Sequence, residues 1–313
     1  MGHRPRDGRR RRVLHGQAVA ASAGRLDRGE ADPRLPPRGP LTVGAVRAPL
    51  HDRLALDELG GDRFRGAPEP GHRHVFGGLV VAQALAAACR TVGVDQHVHS
   101  LHATFVRTGR FDEPLDHHVE RTRDGVSFAT RRVVVRQPSA DPVLVLTASF
   151  HGDEDGDDYQ PPVELTGLPR PEDLPPGRYD GDVVDCRDVP PAGGPPHERH
   201  MWFRVRGDLG DDPLVHVLAL AYASDNGPTR AAREPQAHLL DRASRQSLSL
   251  DHAVWFLRPT RADRWLLSTL RPVSTGRSRG LVHGTVHTAD GVLVAAVTQE
   301  ALQRLGPADD QAR

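Results

Sequence analysis

The sequence contains no lysine: all 41 basic residues are arginines, and they balance 41 acidic residues to a formal net charge of zero. After the first fifty positions acidic and basic residues are interspersed, which argues against a basic stripe of the kind that binds nucleic acid. Cysteine occurs only at Cys89 and Cys186, which predicts a reducing, cytoplasmic environment. No apolar run approaches the roughly 20 residues that a membrane span requires. The sequence therefore predicts neither a nucleic-acid partner nor a membrane partner.

Aromatic residues are also scarce, at 4%, whereas glycine and proline number 31 and 27, which predicts long loops or tails. Residues 1–48 include "RPRDGRRRRVLHGQAVAASAGRL", which resembles a twin-arginine export signal but lacks its continuous apolar core of about 7 to 15 residues. We interpret residues 1–48 as a disordered tail or a misassigned start, and residues 306–313 as a second tail.

The remaining chain contains the same order of predicted elements, a helix followed by four β-type segments, in two successive halves. Residues 49–152, the first half, contain a short helix, a strand, the alanine-rich helix in "HVFGGLVVAQALAAACRTV" and four segments of β type. Residues 153–196 are acidic and then proline-rich, as in an extended connector. Residues 197–305, the second half, repeat the order with a strand, the helix in "DPLVHVLALAYASD" and again four strands. Each half is thus predicted to wrap an antiparallel sheet around a buried helix.

Short motifs of the two halves can be superimposed along the sequence. "HATF" begins at His102 and "HAVW" at His252, a shift of 150 positions (252 − 102). "DGVS" and "TGRS" end at Ser127 and Ser278, a shift of 151, while "LTAS" and "AVTQ" end at Ser149 and Gln299, again 150. A nearly constant shift across the meander indicates an internal duplication.

Seven motifs carry a specific resemblance. "RHVFGGLVVAQAL", "HSLHATFVRTG", "RDGVSFATRRVVV" and "TASF" in the first half, with "LAYASD", "LDHAVWFLRP" and "DGVLVAAVTQE" in the second, resemble the type II acyl-CoA thioesterases. The resemblance extends from about Leu54 to Arg304, except for the connector. It implies an α+β fold of two tandem hotdog domains that hydrolyses acyl-CoA to a fatty acid and CoA. It also implies that no cofactor is needed and that the chain forms a homo-oligomer, a dimer or a tetramer.

The resemblance further implies that three residues of the second half activate water: Asp225 of "YASD", Ser249 of "SLSLDH" and Gln299 of "VTQE". Each also has a simpler interpretation, namely a solvated aspartate at a helix end, an exposed serine on a strand and a buried structural amide. A buried carboxylate can act as a general base toward water, and an amide can orient that water or stabilise an oxyanion. The first half has Ser149 at the position matched to Gln299, which favours the second half as the site of chemistry.

Substrate contacts are predicted at two kinds of residue. Gly77 and Gly78, at the start of the alanine-rich helix, could present backbone N–H groups to a thioester carbonyl or a CoA phosphate. Arg258 and Arg279 could bind the CoA phosphates. Gln83, in the middle of the apolar helix, must find a partner when buried and is interpreted as a packing device rather than a catalyst.

No G-x-S-x-G motif is present. Cys89 lies in the apolar helix and Cys186 in the connector, so neither cysteine is a good candidate for a nucleophile. Direct attack by water is therefore favoured over an acyl-enzyme. Two other chemistries stay open. "HVHSLH" places His97 and His99 on one face of a strand with His102 nearby, yet no further ligands complete a metal site, and no metal is predicted.

Asp211 and His216 of "GDDPLVH" keep the spacing of a hotdog enoyl-CoA hydratase signature, although its interior differs and an aspartate here could simply cap a helix. A third alternative is a non-catalytic acyl-CoA-binding module.

Overall fold

The computed structural model describes residues 49–69, 74–191, 196–236 and 245–305. The predicted tails, residues 1–48 and 306–313, lie outside the described residues. In the described part of the chain, none of the helices is long and apolar enough to cross a membrane.

The first half follows the predicted order of a helix and then a meander. Its elements are α1 (Pro49–Arg53), β1 (Leu56–Glu58), β2 (Arg63–Gly66), α2 (Gly77–Cys89), β3 (Gln96–Phe105), β4 (Leu115–Asp124), β5 (Phe128–Gln137) and β6 (Ala140–Gly152). One difference is that α1 is followed by a hairpin of β1 and β2 rather than by a single strand. The hairpin turn contains Gly60, Gly61 and Asp62, all at positive φ, where glycine avoids the strain that a side chain causes.

The second half begins with a strand that lies inside the segment predicted to be an extended connector. The elements are β7 (Val184–Asp188), β8 (Arg199–Val205), α3 (Pro213–Ala223), α4 (Pro228–Ala231), β9 (Arg245–Ser249), β10 (Asp251–Phe256), β11 (Leu266–Gly276), β12 (Arg279–Thr288) and β13 (Leu293–Leu305). β7 pairs with β8, so Cys186 lies in a buried strand and not in a loop. The segment "SLSLDHAVWFLRPT", predicted as one strand, forms β9 and β10, which separate at Leu250.

The strands form one continuous antiparallel sheet that runs through both halves. Its order is β1-β2-β4-β5-β6-β3-β10-β13-β12-β11-β8-β7, and β9 adds a second pairing to β13. The halves join where β3 pairs with β10. Helices α2 and α3 pack against each other and are buried over almost their whole length. Two helices, each held by its own antiparallel meander, form the predicted double hotdog.

Gln83 is the polar exception in α2, and its partners explain why it is tolerated there. The side chain is fully buried, and its Nε2 donates to the backbone carbonyls of Arg53 at 2.7 Å and Ala67 at 2.8 Å. His117 Nε2 lies 3.2 Å from the amide oxygen. Gln83 therefore ties α1 and the segment after β2 to the central helix, which is the packing role that the sequence predicts.

The strand registers correct the internal alignment by one residue. In the first half Leu101 pairs with Ala148, both fully buried. In the second half the buried residues in contact are His252 and Gln299. These two pairs are related by one shift of 151 positions (252 − 101 and 299 − 148), which agrees with the match of Ser127 to Ser278.

The predicted counterparts His102 and Ser149 are therefore wrong by one residue each. In register His102 lies opposite Ala253, whereas His252 lies opposite Ala103, so the two histidines face opposite sides of the sheet. A slip of one residue moves a side chain to the other face of a strand. His102 is exposed, with its ring against that of Trp255.

Candidate active site

A cavity of about 950 Å³ is lined by residues of both halves and of the segment before β7. Phe76, Gly77 and Phe105 from the first half meet Asp225 and Ser249 from the second. Two of the three residues predicted to activate water thus line one cavity. The third, Gln299, lies directly behind them.

Asp225 lies two residues beyond the end of α3, and its carboxylate faces the N-terminus of α2. A Cβ atom at Gly77 would lie 2.7 Å from its Oδ2, and the backbone N–H of Gly78 donates to the carboxylate. The first residues of α2 have no side-chain cap, so Asp225 supplies the acceptor from the other half of the molecule. The positive end of α2 stabilises this carboxylate, which gains nothing from the C-terminus of α3 itself.

The environment of Asp225 weakens it as an acid. Its exposed fraction is 8%, and burial raises the pKa of the carboxyl above its ordinary value. The nearby His252 ring and hydrogen bonds from Gln299, Gly78 and Ser249 oppose this rise in pKa. A carboxylate with a raised pKa that is still held by several donors is suited to accept a proton from water.

Ser249 and Gln299 complete a chain of hydrogen bonds that ends on this carboxylate. The Ser249 hydroxyl donates to Asp225 Oδ1 at 3.4 Å, and Gln299 Nε2 donates to Ser249 Oγ at 2.7 Å. Ser249 is the last residue of β9, just before the break at Leu250. The structure therefore brings together all three residues that the resemblance implies.

His252 joins this network and was missed as a site residue by the sequence reasoning. The ring is fully buried, with Nδ1 2.6 Å from Gln299 Oε1 and Nε2 2.9 Å from Ser224 Oγ. The available signal was the alternation of β10, which places His252 on the buried face with Val254. The alignment of the two halves with a shift of 150 positions obscured this signal, because it matched His252 to His102, which lies on the outer face of the sheet.

The two glycines at the start of α2 have different surroundings. Gly77 lines the cavity, in keeping with a substrate contact. The N–H of Gly78 instead donates to Asp225, and a Cβ atom there would lie 2.3 Å from the Tyr222 carbonyl oxygen. The predicted role of Gly78 as a substrate-binding residue is therefore revised, because it allows α2 to approach α3 and holds the carboxylate.

Gly78→Ala is expected to destabilise the fold by about 1 to 3 kcal/mol, because the added methyl group must push α2 away from the α3 backbone. Gly156→Ala is the matched control, since nothing lies within 4 Å of a Cβ atom at that position. Urea unfolding of both variants measures the difference. Equal midpoints for the two variants would contradict close packing at Gly78.

The predicted phosphate contacts at Arg258 and Arg279 find no support in the structure, because neither residue lines the cavity. Arg258 donates to Asp158 at 2.5 Å and to the Leu293 carbonyl at 2.8 Å. Arg279 pairs with Glu300 at 2.7 Å. Both guanidinium groups thus have protein acceptors away from Asp225. The arginines that line the cavity are Arg53, Arg107 and Arg178.

The hydratase alternative also lacks a site. Both ring nitrogens of His216 contact backbone groups, Nε2 the Gly210 carbonyl at 2.9 Å and Nδ1 the Ala262 amide at 3.2 Å. Asp211 is an exposed residue paired with Arg261 at 2.6 Å, and the following residue, Asp212, caps α3. None of these aspartate and histidine side chains lines the cavity.

Two other chemistries can be checked in the described part of the chain. No group of three His, Cys, Asp or Glu residues there could hold a metal ion. His99 instead contacts Ser149 Oγ at 2.8 Å. Neither Cys89 nor Cys186 is in a disulfide, and burial raises the pKa of the Cys186 thiol to about 12, which disfavours a thiolate nucleophile.

Comparisons with known proteins agree with the double hotdog fold and identify the family. Residues 66–151 match the model of the acyl-CoA thioesterase N-terminal domain, and residues 145–303 match that of the C-terminal domain. The chain is 33% identical over 311 residues to acyl-coenzyme A thioesterase 8 of Rattus norvegicus, with 89% of this chain and 94% of the relative covered.

Solved structures give the same result. An acyl-CoA thioesterase II from Mycobacterium marinum is 40% identical, with a TM-score of 0.74 over 82% of this chain and 98% of that one. A hot dog protein of unknown function from Alicyclobacillus acidocaldarius, at 18% identity, has a TM-score of 0.69 over 84% and 100% and supports the fold alone. With both family models matched in order, this double hotdog chain belongs to the type II acyl-CoA thioesterase family.

Proposed function

We propose that the protein hydrolyses acyl-CoA thioesters to a carboxylic acid and free CoA, with water as the nucleophile. The observation that carries this proposal is the buried Asp225 carboxylate at the cavity wall, held by donors from Gly78, Ser249 and Gln299. The named relatives are acyl-CoA thioesterases, which supports the same substrate class.

In the proposed mechanism Asp225 accepts a proton from a water molecule that Ser249 and Gln299 orient. The water oxygen bonds to the thioester carbonyl carbon, and the carbonyl oxygen takes on negative charge. The backbone N–H at the α2 N-terminus, at Gly77, stabilises that charge. The C–S bond then breaks, CoA leaves as the thiolate, and the proton held by Asp225 returns to the products. Atoms balance as acyl-CoA plus water giving acid plus CoA.

The cavity lining suits both ends of such a substrate. Apolar side chains of the cavity lining can contact an acyl chain, and they include Val75, Phe76, Phe105 and Val143. Arg107 and Arg178 also line the cavity, and Arg178 is exposed, which suits contact with CoA phosphates. We assign these contacts in place of Arg258 and Arg279.

Release of thiol from a panel of acyl-CoAs tests the proposal. The panel runs from short to long chains and includes branched and aromatic acyl groups, with a thiol-reactive dye as the readout. We expect turnover with at least one chain length. Binding of acyl-CoA by calorimetry without release of CoA from any panel member would instead support the non-catalytic binding module.

Two further properties belong to the same proposal. Cys89 and Cys186 are both buried and neither is in a disulfide, which supports a reducing compartment and thus the cytoplasm. A homo-oligomer, a dimer or a tetramer of double hotdogs, is supported by the two edges of the sheet, at β1 and β7, which can pair with another chain. Light scattering of the purified protein measures that state.

A further inference from the structure

We propose that His252 is a positioning residue that fixes the orientation of the Gln299 amide. Without His252, the amide would no longer hold its N–H groups toward Ser249 and Asp225. The inference rests on the proposed function and extends it to a residue that does not line the cavity and whose ring hydrogen-bonds Ser224 and Gln299 rather than Asp225. It depends on the geometry of one buried chain of hydrogen bonds, Ser224 to His252 to Gln299 to Ser249 to Asp225.

The contact between His252 and Gln299 defines where one proton lies. An amide oxygen can only accept, so the 2.6 Å contact of Nδ1 with Gln299 Oε1 requires a proton on Nδ1. At the other side of the ring, Nε2 lies 2.9 Å from Ser224 Oγ, and that hydroxyl is also 3.1 Å from the Ala221 carbonyl oxygen. A hydroxyl that donates to Nε2 leaves the Nδ1 proton on a neutral ring, whereas a hydroxyl that accepts from Nε2 is compatible with the Gln299 contact only when both ring nitrogens carry protons.

With this proton in place, only one orientation of the Gln299 amide is favourable. Its Oε1 accepts from His252, and its Nε2 then donates to Ser249 Oγ and reaches the carboxylate of Asp225. The reverse orientation would oppose the Nδ1 proton with the Nε2 hydrogens and direct Oε1 at a carboxylate. Both contacts would be repulsive, so His252 selects the orientation that delivers a donor to the site.

The first half of the molecule shows that the fold itself does not need this polar pair. At the corresponding register Leu101 lies opposite Ala148, and both are fully buried. Burying two polar side chains is costly unless they are hydrogen-bonded, and an apolar pair serves the same place in the sheet. The polar pair of His252 and Gln299 therefore has a purpose beyond packing, and it occurs in the half that supplies Asp225.

His252→Leu and His252→Asn make the test specific. Leucine is the residue that the first half carries at this position, so the variant is expected to fold. Asparagine keeps an N–H donor bonded to Cγ, where the Nδ1 of histidine is also bonded. Each variant is made in the natural sequence and in the Gln299→Ala background, with thiol release from the best acyl-CoA as the assay and thermal unfolding as the check on folding.

We expect His252→Leu to lower kcat by about 10- to 100-fold with little change in KM, because a misplaced group costs turnover more than binding. His252→Asn is expected to restore most of that loss. In the Gln299→Ala background His252→Leu should cause no further loss of kcat, since a residue that acts through Gln299 has nothing left to orient.

Three results would overturn the inference: unchanged kcat in His252→Leu, an equal loss with and without Gln299, or a loss that asparagine does not restore in a folded protein. Failure of the proposed function is distinct from these, because the natural protein itself would then release no thiol from any acyl-CoA.

Discussion

Asp225→Asn is expected to lower kcat by about 10³-fold, because it removes the base that accepts the proton of water. The variant keeps the shape of the side chain and an oxygen that can accept from Gly78, but it removes the only carboxylate within the hydrogen-bond network of Ser249 and Gln299 in the described part of the chain. Without that base, the attacking water must lose its proton to solvent. KM should change little, because the carboxylate contacts the water rather than the acyl chain.

The pH dependence of the natural enzyme tests the same residue independently. Because burial raises the pKa of Asp225, kcat/KM is expected to fall with decreasing pH along a limb that lies above about pH 4, the range of an ordinary aspartate. The sign follows from the role: the ionised carboxylate is the active form, and protonation removes it. Steady-state rates between pH 4 and 9 define the limb, which should be absent in Asp225→Asn.

The matched control is Asp211→Asn, an exposed aspartate paired only at the surface with Arg261. It should keep both the natural kcat and the natural pH limb. If Asp211→Asn loses as much turnover as Asp225→Asn, or if Asp225→Asn retains the acid limb, then Asp225 is not the base.

The fold could be predicted from the sequence because its strongest signals are long and repeated. The four β-type segments that follow the alanine-rich α2 recur at a near-constant distance in the second half, which indicates duplication without any structural information. The predictions that were wrong concerned strands whose bounds depend on pairing with segments distant in sequence. β7 is short and lies in a proline-rich segment, so only its pairing with β8 makes it a strand. The break at Leu250 likewise depends on hydrogen bonds to Glu300 and Phe105, which are distant in sequence.

The site was predictable through the family motifs and much less so from residue type. From the local sequence, Asp225 is an aspartate at the C-terminus of a helix, where the helix dipole does not stabilise a carboxylate. Only the structure shows its partner, the N-terminus of α2. The prediction of Arg258 and Arg279 as CoA contacts gains no support from the cavity lining, and the sequence could not single them out: every basic residue is an arginine, so the residue type carries no information about which ones meet a phosphate.

The repeat illustrates a further limit of sequence reasoning. Aligning identical letters gave a shift one residue short at His252 and Gln299, and in a strand one residue changes the face. The conclusion that the second half carries the chemistry nevertheless gains support, since the corrected counterparts Leu101 and Ala148 are apolar.

Gln299→Ala is expected to lower kcat by about 10²- to 10³-fold, the loss typical of removing one preorganised donor from an acyl-transfer site. The substitution removes the amide that donates to Ser249 Oγ and reaches Asp225, and it also leaves His252 Nδ1 without its acceptor. The fold should survive, because Ala148 occupies the corresponding position in the first half.

Gln303→Ala is the control that separates chemistry from packing. Gln303 is a buried amide on the same strand, four positions further along, and its Nε2 donates to the Thr229 carbonyl and to Ser247 Oγ, both at 3.2 Å. Loss of this amide should lower the unfolding temperature while kcat stays within about threefold of the natural value, since Thr229 and Ser247 line the cavity but Gln303 makes no hydrogen bond to Asp225, Ser249 or Gln299 in the described part of the chain. Thiol release and thermal unfolding of both variants decide the matter, because equal losses of kcat would show that burial of an amide in β13, rather than the position of Gln299 beside Asp225, sets the rate.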